Sequence, residues 1–166
     1  MLTDKKVLTY NKLVKKLSQI RNKKRLVVTT GAFDIFHAGH LAYLDYAKRQ
    51  GDILVVGIAT DKTIREIKGP DRPIIPEDLR VRLIAGLEVV DFVVLLKEPL
   101  KEKIDNWRLF EKIQPDIWVV PYSDHNMEGN KKIAKQFGIK LIKAARIKPG
   151  RIKFPLSTTY ILERLI

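Results

Sequence analysis

Residues 25–40 read Arg25-Leu26-Val27-Val28-Thr29-Thr30-Gly31-Ala32-Phe33-Asp34-Ile35-Phe36-His37-Ala38-Gly39-His40, and the fold follows from how this stretch changes character. Arg25–Thr30 is a β-branched, apolar run of strand length. Gly31 breaks it, a short loop follows, and from His40 to Gln50 apolar positions recur at helical spacing. A strand, a glycine-opened loop and a helix in that order begin a βαβ unit.

The same alternation continues along the chain. Ile53–Ala59, Phe92–Leu95, Ile117–Val120 and Lys140–Ile142 read as further strands. Asn11–Arg21, Asp61–Ile67, Glu77–Leu87, Lys101–Ile113, Met127–Phe137 and Ser157–Leu165 read as helices. Gly51 and Gly138 stand as C-terminal glycines, and Pro115-Asp116 separates a helix from the next strand. The expectation is an α/β fold: a Rossmann-like, doubly wound parallel sheet of about five strands with flanking helices. One domain over residues 1–166 is expected, with a helical segment, 1–24, packed on it.

Composition closes several routes. With 166 residues and 45% hydrophobic content the chain can build a core, which argues against disorder. It has no cysteine, which excludes disulfides, thiolate zinc sites and a cysteine nucleophile. Its apolar runs fall short of the roughly 20 residues of a membrane span, so a cytoplasmic protein with no membrane partner is expected. The formal charge of +13 points to a polyanion. Residues 1–25 hold nine Lys/Arg and one acid, and residues 131–153 hold nine Lys/Arg and no acid.

In an open parallel sheet the ligand lies beyond the carboxyl ends of the strands, which directs attention to Gly31–His40. That loop holds two of the three histidines, and neither a dinucleotide fingerprint nor a P-loop occurs anywhere. If His40 opens the helix, His37 and His40 sit one turn apart beside free backbone N–H groups, an arrangement suited to an anion. Gly39 lets a phosphate or base approach the backbone. The same pair could cap a helix, lie in a core or bind a metal, although no third ligand lies nearby. Lys68 precedes a proline-fixed loop, Gly69–Pro76, which could present its ammonium to phosphate. Arg80 is either a phosphate ligand or the partner of Glu77 or another helix neighbour. Asp34 either pins the His-bearing loop through backbone N–H groups or helps hold Mg²⁺; Asp61 is equally open. Ser157, Thr158 and Thr159 stand where a helix N-terminus would be capped or would meet phosphate.

The segment Gly31–His40 has the form G-x-F-D-x-x-H-x-G-H, and in it the chain resembles the HxGH nucleotidyltransferases, the cytidylyltransferase-like superfamily. The likeness extends to Ala59-Thr60-Asp61, to Lys68-Gly69-Pro70-Asp71-Arg72-Pro73-Ile74, to Arg80 with Leu87–Asp91, to Pro115-Asp116 and to Ser157-Thr158-Thr159. Within the superfamily it is nearest to the heptose 1-phosphate adenylyltransferase domain. The resemblance implies transfer of a nucleoside monophosphate from an NTP, ATP before CTP, to a phosphorylated small molecule such as a sugar phosphate. It implies His37, His40 and Lys68 as catalytic residues, the histidines holding phosphates as N–H donors. Gly31, Ala32, Phe33, Gly39, Asp124, Ser157, Thr158 and Thr159 would bind the nucleotide. Asp34, Asp61 and Arg80 would bind acceptor or phosphate. Mg²⁺ is the expected cofactor, with no protein ligand named for it, and a homodimer is the implied assembly.

The chain departs from the pattern after its fourth strand. Pro121-Tyr122-Ser123-Asp124-His125-Asn126 replaces a Lys-Gly-x-Asp-Tyr type of segment, retaining the Asp, and Ala32 replaces a Cys or Thr. His125 reads as an exposed side chain. A cytidylyltransferase for a polyol or amino-alcohol phosphate and an FAD synthase are the rivals within this chemistry. A nucleic-acid-binding module is the rival from another class; an aromatic content of 8% and the lack of a known motif argue against it.

Overall fold

The run that opened the sequence reading becomes the central strand of a parallel sheet. In the computed structural model, which describes residues 2–99, 106–145 and 158–164, β1 (Leu26–Gly31) pairs with β2 (Ile53–Ala59) on one side and β4 (Ile117–Val120) on the other. β3 (Phe92–Leu96) and β5 (Lys140–Lys143) complete the order β3-β2-β1-β4-β5, all parallel. The chain builds outward from β1 to β3, then crosses back to β4. The reversal between β1 and β4 opens a crevice at their carboxyl ends.

Side-chain parity sorts the core into two layers. Leu26 and Val28 of β1 point to one face, where Leu13 and Leu17 of α1 (Tyr10–Ile20), Leu109, Phe110 and Ile113 of α5 (Trp107–Ile113), and Ile133 of α6 (Met127–Phe137) cover them. Val27 points to the other, covered by Tyr43, Leu44 and Ala47 of α2 (Ala38–Lys48) and by Val81 and Ile84 of α4 (Glu77–Ala85). Helices on both faces explain why β2 is buried at all seven positions and reads as one apolar run. Leu13 is fully buried and Leu17 is 4% exposed, and burying each contributes about 2 kcal/mol, which fastens the N-terminal helix to the sheet.

The expected strands and helices are present with ends shifted by one or two residues, except that α5 and α7 (Thr158–Glu163) are described over shorter spans than anticipated. One pairing was not anticipated. Before α1, Val7 forms a parallel bridge with Val93, with Leu8 N–H donating to Val93 O, so the outer edge of β3 is partly covered. At the amino ends of the strands, Asp52, Asp91 and Asp116 accept the backbone N–H groups of Arg25, Leu54 and Leu26. That end is thereby closed with local hydrogen bonds, and the functional groups gather at the opposite end.

Candidate active site

The helix that carries the histidines begins earlier than its periodicity suggests. α2 starts at Ala38, and His37 is its N-cap, extended at φ −143°, with Nδ1 accepting the N–H of Gly39 at 3.1 Å. His40 is therefore the third helical residue rather than the first. The correction strengthens the anion-site reading: a cap through Nδ1 places the proton of a neutral His37 on Nε2, which is left as a donor.

The two rings stack, with centroids 3.9 Å apart and an interplanar angle of 21°. Phe36 stacks on His40 at 5.7 Å, and Phe33 meets it edge-on at 5.3 Å. Phe33 holds a positive φ of 47°, and a Cβ on Gly31 would lie 2.8 Å from its ring, so the glycine is required by this aromatic box. Burial lowers the His37 pKa. Burial, then the neighbouring His37 and Lys68, lowers that of His40 to about 3. Both imidazoles are thus neutral N–H donors near neutral pH. The Nδ1 of His40 is buried with no hydrogen-bond partner.

Lys68 ends α3 (Asp61–Lys68), and Gly69 follows at φ 97°, a conformation that favours glycine. The lysine is exposed overall, yet desolvation of its ammonium, then Arg72, lowers its pKa, and its charge is felt at His40. The structure thus brings the charge of Lys68 within electrostatic reach of His40. Thr158, at the start of α7, donates its Oγ1 to Ile35 O at 3.5 Å, which sets that helix against the His-bearing loop. Ser157 lies outside the described residues, as do residues 146–153 of the basic run that precedes it; Thr159 is described only as backbone of α7.

Asp34 resolves towards the pinning role. It is 4% exposed and accepts Ile74 N–H at 2.9 Å, Ile75 N–H at 2.8 Å and Arg72 Nε at 2.7 Å. Burial pushes its pKa up, but the N–H groups of Ile75 and Ile74 and the Arg72 guanidinium outweigh it and hold the carboxyl below the usual range. The Asp is thus a bolt between the His loop and the Gly69–Pro76 loop.

Arg80 is corrected from phosphate ligand to internal brace. It is 1% exposed and donates to Ile75 O, Ala32 O, Ala59 O and Asp61 Oδ1. Four of its donors serve the protein, and the two nearest loops and the end of β2 are tied by them. The ion-pair partner is Asp61 at 2.7 Å; Glu77 instead accepts the N–H of Asp61. Asp61 is in turn committed to Arg80 rather than to acceptor phosphate.

Asp124 follows β4 and accepts the N–H of Asn126 at 2.8 Å and Nδ2 of Asn130 at 3.0 Å, which shapes the divergent β4–α6 loop; His125 in that loop is exposed. Among the described residues no cluster of three His, Asp or Glu side chains could hold a metal. Asp34 is committed to Arg72 and two backbone N–H groups and Asp61 to Arg80, so the described residues do not build a protein-held Mg²⁺ site.

Three contributors escaped the sequence reading. Arg72 sits within a stretch singled out for its prolines, but its partnership with Asp34 spans 38 residues. Tyr43 is buried one turn after His40, and its OH donates to Val119 O at 2.8 Å and meets Thr29 Oγ1, fixing α2 across β1 and β4. Asn106 is buried at the end of β1 with no sequence signal. The basic surplus also divides. Lys12, Lys15 and Lys16 of α1 and Lys131, Lys132 and Lys135 of α6 are exposed on the outside of the same helical layer.

Comparison with known proteins agrees with this geometry. The family model described as cytidylyltransferase-like matches residues 28–164. The bifunctional protein HldE of Alcanivorax borkumensis is 40% identical over 144 residues, 86% of this chain and 28% of the relative. HldE of Helicobacter pylori is 39% identical over 165 residues, 98% of this chain and 32% of the relative. The chain spans about three-tenths of the length of these curated relatives. A Thermoplasma volcanium structure described as a lipopolysaccharide core biosynthesis protein is 34% identical, with TM-score 0.63, covering 75% of this chain and 99% of that one. A pantoate-beta-alanine ligase from Francisella tularensis, 16% identical with TM-score 0.61 over 86% of this chain and 68% of that one, shares the fold. No described helix is long and apolar enough to cross a membrane. With its parallel sheet, its HxGH loop and a family match over most of its length, the chain belongs to the cytidylyltransferase-like family.

Proposed function

We propose that this protein transfers AMP from ATP to a phosphorylated sugar and releases pyrophosphate. The observation that carries the reading is the stacked pair of neutral imidazoles, His37 and His40, at the N-terminus of α2 with the Lys68 charge beside them. The acceptor is itself a phosphate monoester with a second pKa of about 6, so its oxygen is already deprotonated and no general base is required. That oxygen attacks the α-phosphorus in line; the bond to the bridging oxygen of the β-phosphate breaks, and its electron pair leaves with pyrophosphate. Imidazole N–H groups and the Lys68 ammonium meet the charge that builds on the phosphoryl oxygens. A neutral imidazole still has one N–H to give, so each histidine can donate to a phosphate oxygen without the pair having to carry two charges.

The relatives lend support. One is named for lipopolysaccharide core biosynthesis, which is work on sugars. Mg²⁺ enters this scheme with the triphosphate, whose oxygens it would neutralise, and not on protein carboxylates. The reading carries a cytoplasmic setting, where NTPs are made, and a homodimer as assembly. The family description favours CTP as the rival donor. A pyrophosphate-release screen of ATP, CTP, GTP and UTP against heptose 1-phosphate, other sugar 1-phosphates, glycerol 3-phosphate, phosphoethanolamine and FMN tests it. Release with ATP and a sugar phosphate is expected; release only with CTP and a polyol phosphate overturns the assignment. Salt-sensitive nucleic-acid binding with no release from any NTP overturns the enzyme reading.

A further inference from the structure

Asn106 is 2% exposed and precedes α5, yet its side chain does not cap that helix. It turns to the sheet, where Nδ2 donates to Thr30 Oγ1 at 3.2 Å. Thr30 is the last residue of β1 before Gly31 and shares the parity of Leu26 and Val28, so it faces the α1, α5 and α6 layer. A Cβ on Gly57 of β2 would meet Thr30 Cγ2 at 2.9 Å and Leu96 at 3.0 Å, which locates the same face. The amide therefore stands at the carboxyl edge of the central strand, across the sheet from the α2 helix that carries the histidines.

The other end of the amide, Oδ1, is buried and without a hydrogen-bond partner. Rotating the amide by half a turn does not cure this, because the Thr30 hydroxyl can serve only one end at a time. One polar atom is left over in either orientation. Leucine has nearly the same shape and would fill the space with nothing unmet, so packing does not explain the residue.

We infer that the Asn106 carboxamide binds a sugar hydroxyl of a substrate seated at the carboxyl end of the sheet and so determines which sugar is accepted. A hydroxyl both donates and accepts, and it satisfies the leftover atom whichever way the amide lies. A phosphate oxygen only accepts, and the phosphates are provided for by His37, His40 and Lys68 on the other side of β1. The hydroxyl belongs to the ribose of the nucleotide or to the sugar of the acceptor; the recognising chemistry is shared. This inference rests on the nucleotidyl-transfer reading and deepens it.

The test compares ATP with 2′-deoxy-ATP and 3′-deoxy-ATP, and heptose 1-phosphate with mannose 1-phosphate and its deoxy derivatives, in wild type, Asn106→Ala and Thr30→Val. Removing the hydroxyl that Asn106 binds lowers wild-type kcat/KM by roughly 10–100-fold. In Asn106→Ala the same removal costs less than about 3-fold, while every other deletion costs variant and wild type alike. The arm in which the coupling occurs identifies ribose or acceptor. Equal losses in wild type and Asn106→Ala for every analogue overturn the inference. Because the variants could fold poorly, the wild-type protein with ¹⁵N-labelled asparagine is titrated with ATP and with mannose 1-phosphate. A shift of the Asn106 side-chain amide that the matching deoxy analogue does not produce supports the inference, and an amide unmoved by every probe overturns it. Should the wild type release no pyrophosphate with any pair, the functional reading fails, and the titration still decides this inference by binding alone.

Discussion

His37 and His40 are stacked at 3.9 Å, one capping α2 through Nδ1 and the other enclosed by Phe33 and Phe36. Rings this close cannot both carry charge without strong repulsion, so the pair acts as two neutral donors. Replacing either by alanine should lower turnover by about 10²–10³-fold, the usual loss of a transition-state donor, while the thermal unfolding curve keeps its cooperativity. Single-turnover pyrophosphate release reads the first and calorimetry the second; full activity in both variants removes them from the chemistry.

Acid should destabilise the protein through His40. Its folded-state pKa, lowered to about 3 by burial, lies below the ordinary imidazole value of 6.5, so the unfolded chain binds the extra proton first. The stability contributed is complete above about pH 6.5 and is lost as pH falls towards 3. Asp34, whose pKa is lowered from 3.8, adds a loss at more acid pH. Urea midpoints measured from pH 7 to pH 3 should fall for wild type and fall less between pH 6 and 4 for His40→Asn. Parallel curves would show that the His40 environment is not what the folded state protects.

Arg80→Lys should be destabilising by about 3 kcal/mol, as expected for breaking a buried ion pair, because an ammonium cannot span Ile75 O, Ala32 O, Ala59 O and Asp61 together. The measurement is chemical denaturation. If instead stability holds and only the KM of a phosphorylated substrate rises, the arginine is a phosphate ligand after all.

Gly31→Ala introduces a methyl 2.8 Å from the Phe33 ring, which must move away from His40. A cost of about 1–3 kcal/mol in stability is expected from the overpacking, with activity falling by a similar factor to loss of one histidine. Phe33→Leu in the Gly31→Ala background should recover stability, since the clash is with the far side of that ring.

One carboxylate oxygen of Asp34 accepts the N–H groups of both Ile74 and Ile75 and the other accepts Arg72, so Asp34→Asn removes the charge facing Arg72 and sets an NH₂ donor against the guanidinium. The Gly69–Pro76 loop should then exchange its amides at least ten times faster, a change read by hydrogen exchange.

Local periodicity was enough to determine the strands, the crossover helices and the parallel sheet, because alternation of two and of 3.6 residues is a property of neighbours along the chain. The HxGH stretch was legible for the same reason: cap, glycine and both imidazoles lie within one loop and one helical turn. What the chain alone left open was decided by partners distant in sequence. Arg80 could have met phosphate, but Ala32 and Ala59 arrive from two other elements and enclose it. Asp34 could have met a metal, but a loop about forty residues on brings its N–H groups to the carboxylate first. Asn106 carries no pattern at all, and only the packing of α5 over β1 leaves its oxygen buried and unmet. A polar side chain's role depends on which donor or acceptor reaches it when water leaves, and that is settled by the tertiary fold.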